Sequence, residues 1–203
     1  MKLYDFKPFL NPRRVRIFLA EKGIAVETEQ VNAMEGEHRS EAFKAKNPSC
    51  TLPTLELDDG SYISESIAIC RYLEEEQPEP ALMGSTPRGK AVVEMWQRRV
   101  EQSLMDPVAA YFHHGTEGLG ALEPFQISEW GEKNRDRAIA GMKLIDDQLA
   151  NNRYIAGDGF SVADITGLCA IDFAAQLNIP VPEDCAHVKR WYDDVSSRPS
   201  ATA

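Results

Sequence analysis

Asn47 to Ser66 reads N-P-S-C-T-L-P-T-L-E-L-D-D-G-S-Y-I-S-E-S, and the fold is decided there. Leu52 precedes Pro53 and is pushed toward an extended conformation, which leaves its backbone amide and carbonyl free to pair with an extended, peptide-like ligand. Two short apolar runs, Thr54–Leu57 and Ser61–Ser64, flank Asp58-Asp59-Gly60 and form an antiparallel hairpin. Glu65 and Ser66 then open an amphipathic segment, placing a carboxylate and a hydroxyl where the first N–H groups of a helix lack partners. As chemistry, that pairing suits the two ends of a small zwitterion. As architecture alone, it is a hairpin feeding a capped helix.

Upstream, Lys2 to Phe6 alternates as a short strand and Pro8 breaks it. Asn11 and Pro12 stand ahead of Val15, Phe18 and Leu19, which recur at helical spacing until Gly23; Asn as N-cap, Pro at the first helical position and Gly past the last turn define this helix. Ile24 to Val31 reads as a second strand, parallel to the first through a right-handed crossover. Ala33 to Lys46 is polar, a loop with an irregular helix around Ala42 and Phe43. After the hairpin, Ile67, Ile69, Tyr72 and Leu73 line a helix that ends in Glu74–Pro78. The first half therefore spells β-α-β-α-β-β-α.

Downstream the pattern changes. Pro78, Pro80, Gly84 and Pro87 mark a linker. Beyond it only helical periodicity remains: Val92, Val93, Trp96, Val100, Leu104 and Val108 trace one long helix, and Gly115, Gly118 and Gly120 then loosen the chain. Ser128 is placed to cap a second helix through Leu149. Ser161 and Asp164 form a capping-box start for a buried helix through Leu177, and a last amphipathic segment spans Val188–Val195.

The chain carries 32 acidic against 22 basic residues, a formal charge of −10, which argues against a nucleic-acid partner. Residues 1–47 carry nine Lys and Arg against seven Asp and Glu, compatible with an anionic ligand there. Cys50, Cys70, Cys169 and Cys185 are scattered, so neither a zinc site nor a dithiol motif is written. No apolar signal region or bilayer-length run is present, and the cytoplasm is the default expectation.

In this order and spacing, L-P-T-L-E-L-D-D-G-x-x-I-S-E-S-x-A-I and Y-I-A-G-D-G-F-S-V-A-D-I resemble a cytosolic glutathione S-transferase, of the bacterial theta- or Nu-like kind and not the Cys-dependent beta type. The resemblance implies an α/β thioredoxin-like glutathione-binding domain over 1–77, a linker over 78–87, and an all-helical domain over 88–203 shaping the second-substrate pocket. It also implies a homodimer, glutathione as co-substrate without a metal, and a small hydrophobic electrophile or a disulfide as the other partner, with neither nucleic acid nor membrane involved. By the same resemblance Pro53 is cis, the Leu52 backbone pairs with the cysteinyl unit of glutathione between Thr51 and Pro53, and Glu65 and Ser66 hold the γ-glutamyl end. His38, with Arg39 beside it, either reaches the glycyl carboxylate or is a solvated loop histidine.

The family's chemistry needs a thiolate, since a free thiol has a pKa of about 8.5, and a helix N-terminus favours an anion. Asn11 occupies that position; its amide donates to the sulfur or its oxygen caps the helix. Similar bacterial chains carry Ser or Thr about two residues earlier, where this one has Phe9, and others carry a catalytic Cys where this one has Leu10. Tyr4 sits inside the first strand and suits core packing. Thr51 replaces a Lys that in some relatives adds charge. These departures leave Asn11 as the catalytic residue, with Phe9 among the glutathione contacts, and keep open conjugation, Nu-type disulfide reduction, or a binding protein without turnover. Leu10 and the helix-end residues Tyr111, Phe112 and His114 are the expected second-substrate contacts.

Overall fold

A computed structural model of the chain describes residues 1–119 and 123–203. Strands β1 (Lys2–Asp5), β2 (Glu27–Gln30), β3 (Thr54–Glu56) and β4 (Tyr62–Ser64) form one mixed sheet in the order β2-β1-β3-β4. β1 and β2 run parallel, joined by α1 (Leu10–Lys22); the other neighbours are antiparallel. With α2 (Glu41–Lys44) and α3 (Ser66–Glu76) the order is the β-α-β-α-β-β-α read from the sequence. The Leu52–Pro53 peptide is cis, as the resemblance implies, and so is Glu79–Pro80.

The pleat divides this sheet's apolar residues between two faces. Leu3, paired with Leu55, is sealed from solvent. Tyr4 turns the other way, into a cluster with Val31, Ala33, Phe43 and Leu52. Its ring meets Phe43 edge-on at 6.0 Å, and Lys46 Nζ lies 4.9 Å from its face. Gly23 ends α1 at φ 65°, a conformation that glycine adopts without steric cost. One residue earlier, the buried Lys22 ammonium meets Glu74 at 2.6 Å and the carbonyls of Gln77 and Pro80 at 2.6 and 2.8 Å. All three of its donors are thus used, clasping α1, α3 and the chain beyond.

The described residues divide into two units, Met1–Ala81 with Pro199–Ala203, and Leu82–Arg198. The sequence reading carries the helical half to residue 203. Instead, the turn Pro199–Thr202 lies on α1, where Arg13 Nη2 donates to Ala201 O at 2.9 Å and the Ser200 hydroxyl donates to Glu21.

The second unit contains α4 (Pro87–Val100), α5 (Asp106–Gly115), α6 (Ser128–Leu149), α7 (Val162–Gln176) and α8 (Ala186–Ser196). α4 and α5 form the expected long helix, interrupted by a π turn at Glu101–Met105. Pro107 explains the interruption: it has no N–H and its ring would collide with the carbonyl of Ser103, so the helix widens and Asp106 N–H bonds Glu101 O five residues back. α6 crosses there, with Gly141 facing the Ser103 carbonyl; a Cβ at Gly141 would lie 2.0 Å from that oxygen. Ser128 does not cap α6. The N-cap position falls on Ile127, whose N–H donates to His114 Nδ1 at 3.3 Å, so contact with the end of α5 sets the helix entry one residue early. Gly120, read as a loosening residue, lies outside the described residues. No helix of the described residues is long and apolar enough to cross a membrane.

Candidate functional site

Strand register brings four separate segments to one edge of the sheet. Asp5 pairs with Gln30, while Tyr4 pairs with Thr54 and Thr54 with Ser64. The chain leaving β1, the chain leaving β2, the chain entering β3 and the chain leaving β4 therefore all emerge at the same edge. Those segments carry, in turn, Phe9 and Asn11, His38 and Arg39, Thr51 to Pro53, and Glu65 and Ser66. These nine residues are spread over the 58 positions from Phe9 to Ser66, and only the sheet makes them neighbours in topology.

The segment between β1 and α1 is held by a buried carboxylate. Asp5, 1% exposed, accepts from Arg16 Nη1 at 2.6 Å and from Gln30 Nε2 at 2.7 Å. The same two side chains bond the Lys7 backbone, Arg16 Nη2 to its carbonyl and Gln30 Oε1 to its N–H. Phe9 N–H donates to Phe6 O and the two rings meet edge-on at 4.9 Å, starting α1 one residue before Asn11. Phe9 is thus the N-cap, without a side-chain acceptor. This overturns the capping alternative for Asn11: its oxygen accepts from Arg14 Nη2 at 2.7 Å, and its Nδ2 meets no acceptor among the described residues. The Leu10 and Asn11 N–H groups are likewise unpaired there, and Pro12 has none.

The segment before β3 is organised by Asn47, 2% exposed. Its Nδ2 donates to Thr51 O at 2.9 Å and lies 3.1 Å from the hydroxyls of Thr51 and Thr54; its Oδ1 accepts from Ser49 N. Thr51 is therefore committed to the loop itself. Leu52 buries its side chain in the Tyr4 cluster while its backbone N–H and C=O find no protein partner among the described residues. Cys50, at φ 54°, turns the chain between them.

Glu65 is the N-cap of α3 at φ 67°, ψ 116°, a conformation that costs a non-glycine residue roughly 1–3 kcal/mol. Its carboxylate is exposed and meets no cation among the described residues. Among the described residues, Ser66, only 4% exposed, has an unpaired hydroxyl, and no side chain caps the first N–H groups of α3. A strained carboxylate, a hydroxyl and a bare helix N-terminus together match an ammonium and a carboxylate on one carbon. Beyond β2, His38 lies in the turn Glu37–Arg39 with a buried Nδ1 that meets no partner among the described residues. Burial, and then the Arg39 cation, hold its pKa below the usual imidazole value. A neutral His38 offers an anion a hydrogen bond, and the exposed Arg39 beside it offers the charge.

Of the expected second-substrate contacts, Leu10 opens α1 in the first unit; Tyr111, Phe112 and His114 share the last turns of α5 in the second. Phe112 packs on Phe173 at 5.4 Å. His113 Nδ1 contacts Glu123 at 3.0 Å, and Gln126 Nε2 bonds the carbonyls of His113 and Thr116. The residues sequence reasoning missed are Asp5, Arg16, Gln30, Arg14 and Asn47, which hold other groups. The Asn-Pro pair at residue 47 was the one local signal, since it favours turn initiation.

Two family models match the chain: the N-terminal domain of glutathione S-transferase over residues 10–76 and its C-terminal domain over residues 123–199. The chain is 45% identical to glutathione S-transferase 2 of Saccharomyces cerevisiae, over 98% of this chain and 87% of that protein. It is also 45% identical to the crystal structure of a glutathione S-transferase domain-containing protein of Marinobacter aquaeolei, with a TM-score of 0.95, covering 98% of this chain and 99% of the other. A glutathione S-transferase of class Gtt2 from Vibrio parahaemolyticus is 39% identical, with a TM-score of 0.87 over 98% and 94% of the two chains.

Proposed function

The chain belongs to the glutathione S-transferase family, and from that premise we propose how its first unit binds glutathione and activates it. The protein is a glutathione transferase, and what needs an account is which groups hold the tripeptide and its sulfur. The reading rests on one observation: at a single sheet edge, the Leu52 backbone, the Glu65–Ser66 corner and the start of α1 each present hydrogen-bonding groups without partners among the described residues.

Leu52 N–H and C=O pair with the cysteinyl unit in the manner of an added strand. The Glu65 carboxylate takes the γ-glutamyl ammonium, while the Ser66 hydroxyl and the first N–H groups of α3 take its carboxylate. His38 donates to the glycyl carboxylate and Arg39 supplies charge. The sulfur then lies at the start of α1, where Asn11 Nδ2 and the Leu10 and Asn11 N–H groups stabilise the thiolate. The thiol proton leaves to solvent, the thiolate forms a bond to the electrophilic atom, and the leaving group departs with its electron pair; no protein nucleophile is needed. In the second unit, Tyr111, Phe112 and His114 at the end of α5 are the residues offered to the second substrate.

A homodimer fits a face of α4 and α6 where Met95 and Leu144 are about 40% exposed. Beside them Arg99 and Arg137 meet no carboxylate among the described residues. A cytoplasmic setting fits four free cysteines.

Titration calorimetry with glutathione tests the site. Glu65→Gln removes the charge facing the ammonium and is expected to weaken binding at least about tenfold, as is Ser66→Ala to a smaller degree. Unchanged affinity in both would overturn the assignment. Parallel assays with an aromatic electrophile and a mixed glutathione disulfide decide which reaction the thiolate performs.

A further inference from the structure

An asparagine amide has two sides, and only its NH2 side can stabilise a thiolate. At Asn11 the neighbouring helix residue decides which side faces out. Arg14, one turn along α1, carries five N–H donors and no acceptor, and its Nη2 lies 2.7 Å from Asn11 Oδ1. The opposite orientation would set N–H against N–H. With the oxygen turned to the guanidinium, Nδ2 faces away, where it meets no acceptor among the described residues. The i,i+3 spacing puts both side chains on one face of the helix, and Arg14 is only 6% exposed, so its guanidinium is not a freely moving surface group.

We propose that Arg14 is a positioning residue which sets the polarity of Asn11 and so aims the Asn11 NH2 at the glutathione sulfur, a role that rests on the assignment of Asn11 given above. Arg14 touches neither sulfur nor electrophile and acts only through the amide. Its donation to Oδ1 also polarises that amide and strengthens the outward donor, because linked hydrogen bonds reinforce one another.

The readout is the pKa of the bound thiol, followed by thiolate ultraviolet absorbance in a pH titration of the protein–glutathione complex, with a melting curve for each variant. Asn11→Ala is expected to raise the thiol pKa by about one unit, the scale of one hydrogen bond to a charged group. Arg14→Gln keeps a polar side chain but can present an acceptor as well as a donor, so it ceases to dictate the orientation and raises the thiol pKa by a similar amount. Arg14→Lys, which can only donate, keeps the value near wild type. In the Asn11→Ala background, Arg14→Gln adds nothing.

Lowered melting temperatures with a wild-type thiol pKa in Arg14→Gln would make Arg14 a packing residue and overturn the proposal. So would an equal further rise in the double variant, which would mean that Arg14 acts by charge alone. If Arg14→Gln does not fold, Asn11→Asp decides: it keeps the Arg14 contact but replaces NH2 by oxygen, and the thiol pKa must rise above that of Asn11→Ala. A wild-type value in Asn11→Asp overturns the polarity argument. An unchanged thiol pKa in Asn11→Ala contradicts the role of Asn11 itself, whereas a rise there with none in Arg14→Gln contradicts Arg14 alone.

Discussion

At the scale of single residues, the groups that touch ligand and the groups that hold them differ in how visible they are. Leu52, Glu65 and Ser66 are conspicuous because each sits beside a proline or a helix start. Asn47 is not, although its side chain fixes the loop that presents Leu52; an asparagine in a turn is common, and its burial is a property of the folded chain. Asp164 lies between these cases. The Ser161–Asp164 spacing announces a capping box, and the box forms, but the carboxylate also accepts from Ile155 N–H and Trp191 Nε1, both at 2.8 Å. Burial pushes this carboxyl up to about 6, against those hydrogen bonds and two from Ser161. The folded value lies above the unfolded 3.8, so between about pH 4 and pH 6 the folded state keeps a proton that the unfolded chain has lost. The stability from this group is complete below about pH 4 and is lost as pH rises through 6, by about 3 kcal/mol in total. The difference in unfolding free energy between wild type and Asp164→Asn, measured by urea titration from pH 4.5 to 7.5, is expected to shrink over that window. A constant difference would show that the carboxyl titrates normally.

At the scale of elements, local rules worked where the element's ends are local. Gly23 ends α1 and Ser161 opens α7, each as the residues dictate. Local rules failed at Asn11 and Ser128. Both are good capping residues, but the caps fall two residues earlier, at Phe9, and one residue earlier, at Ile127, because distant contacts fix the approach: the Asp5 network before α1 and the end of α5 before α6. The π turn was equally hidden, since Pro107 marks a disturbance without saying how the helix absorbs it. Its packing consequence is testable. Gly141→Ala would place a methyl 2.0 Å from the Ser103 carbonyl oxygen, a backbone atom of the widened turn, and α6 must move away. The substitution is expected to cost at least about 2 kcal/mol, read as a lowered urea midpoint. A neutral outcome would mean that the crossing is looser than described.

At the scale of the whole molecule, the order of elements was legible because hydrophobic period changes once, near Pro87, from mixed to purely helical. The site was legible only as a set of fragments. What joins them is register: because Tyr4, Thr54 and Ser64 stand side by side across three strands, the segments around them share one edge. No sequence spacing states that register, and none states that the last five residues belong with the first unit. The central claim is that this edge holds glutathione with its sulfur at the start of α1. A crystal structure of the protein with glutathione bound measures it most directly. The account predicts the sulfur within about 3.5 Å of Asn11 Nδ2 or of the Leu10 and Asn11 N–H groups, with the cysteinyl backbone paired to Leu52. A sulfur turned away from α1, or a tripeptide bound without Leu52 and Glu65, would contradict it.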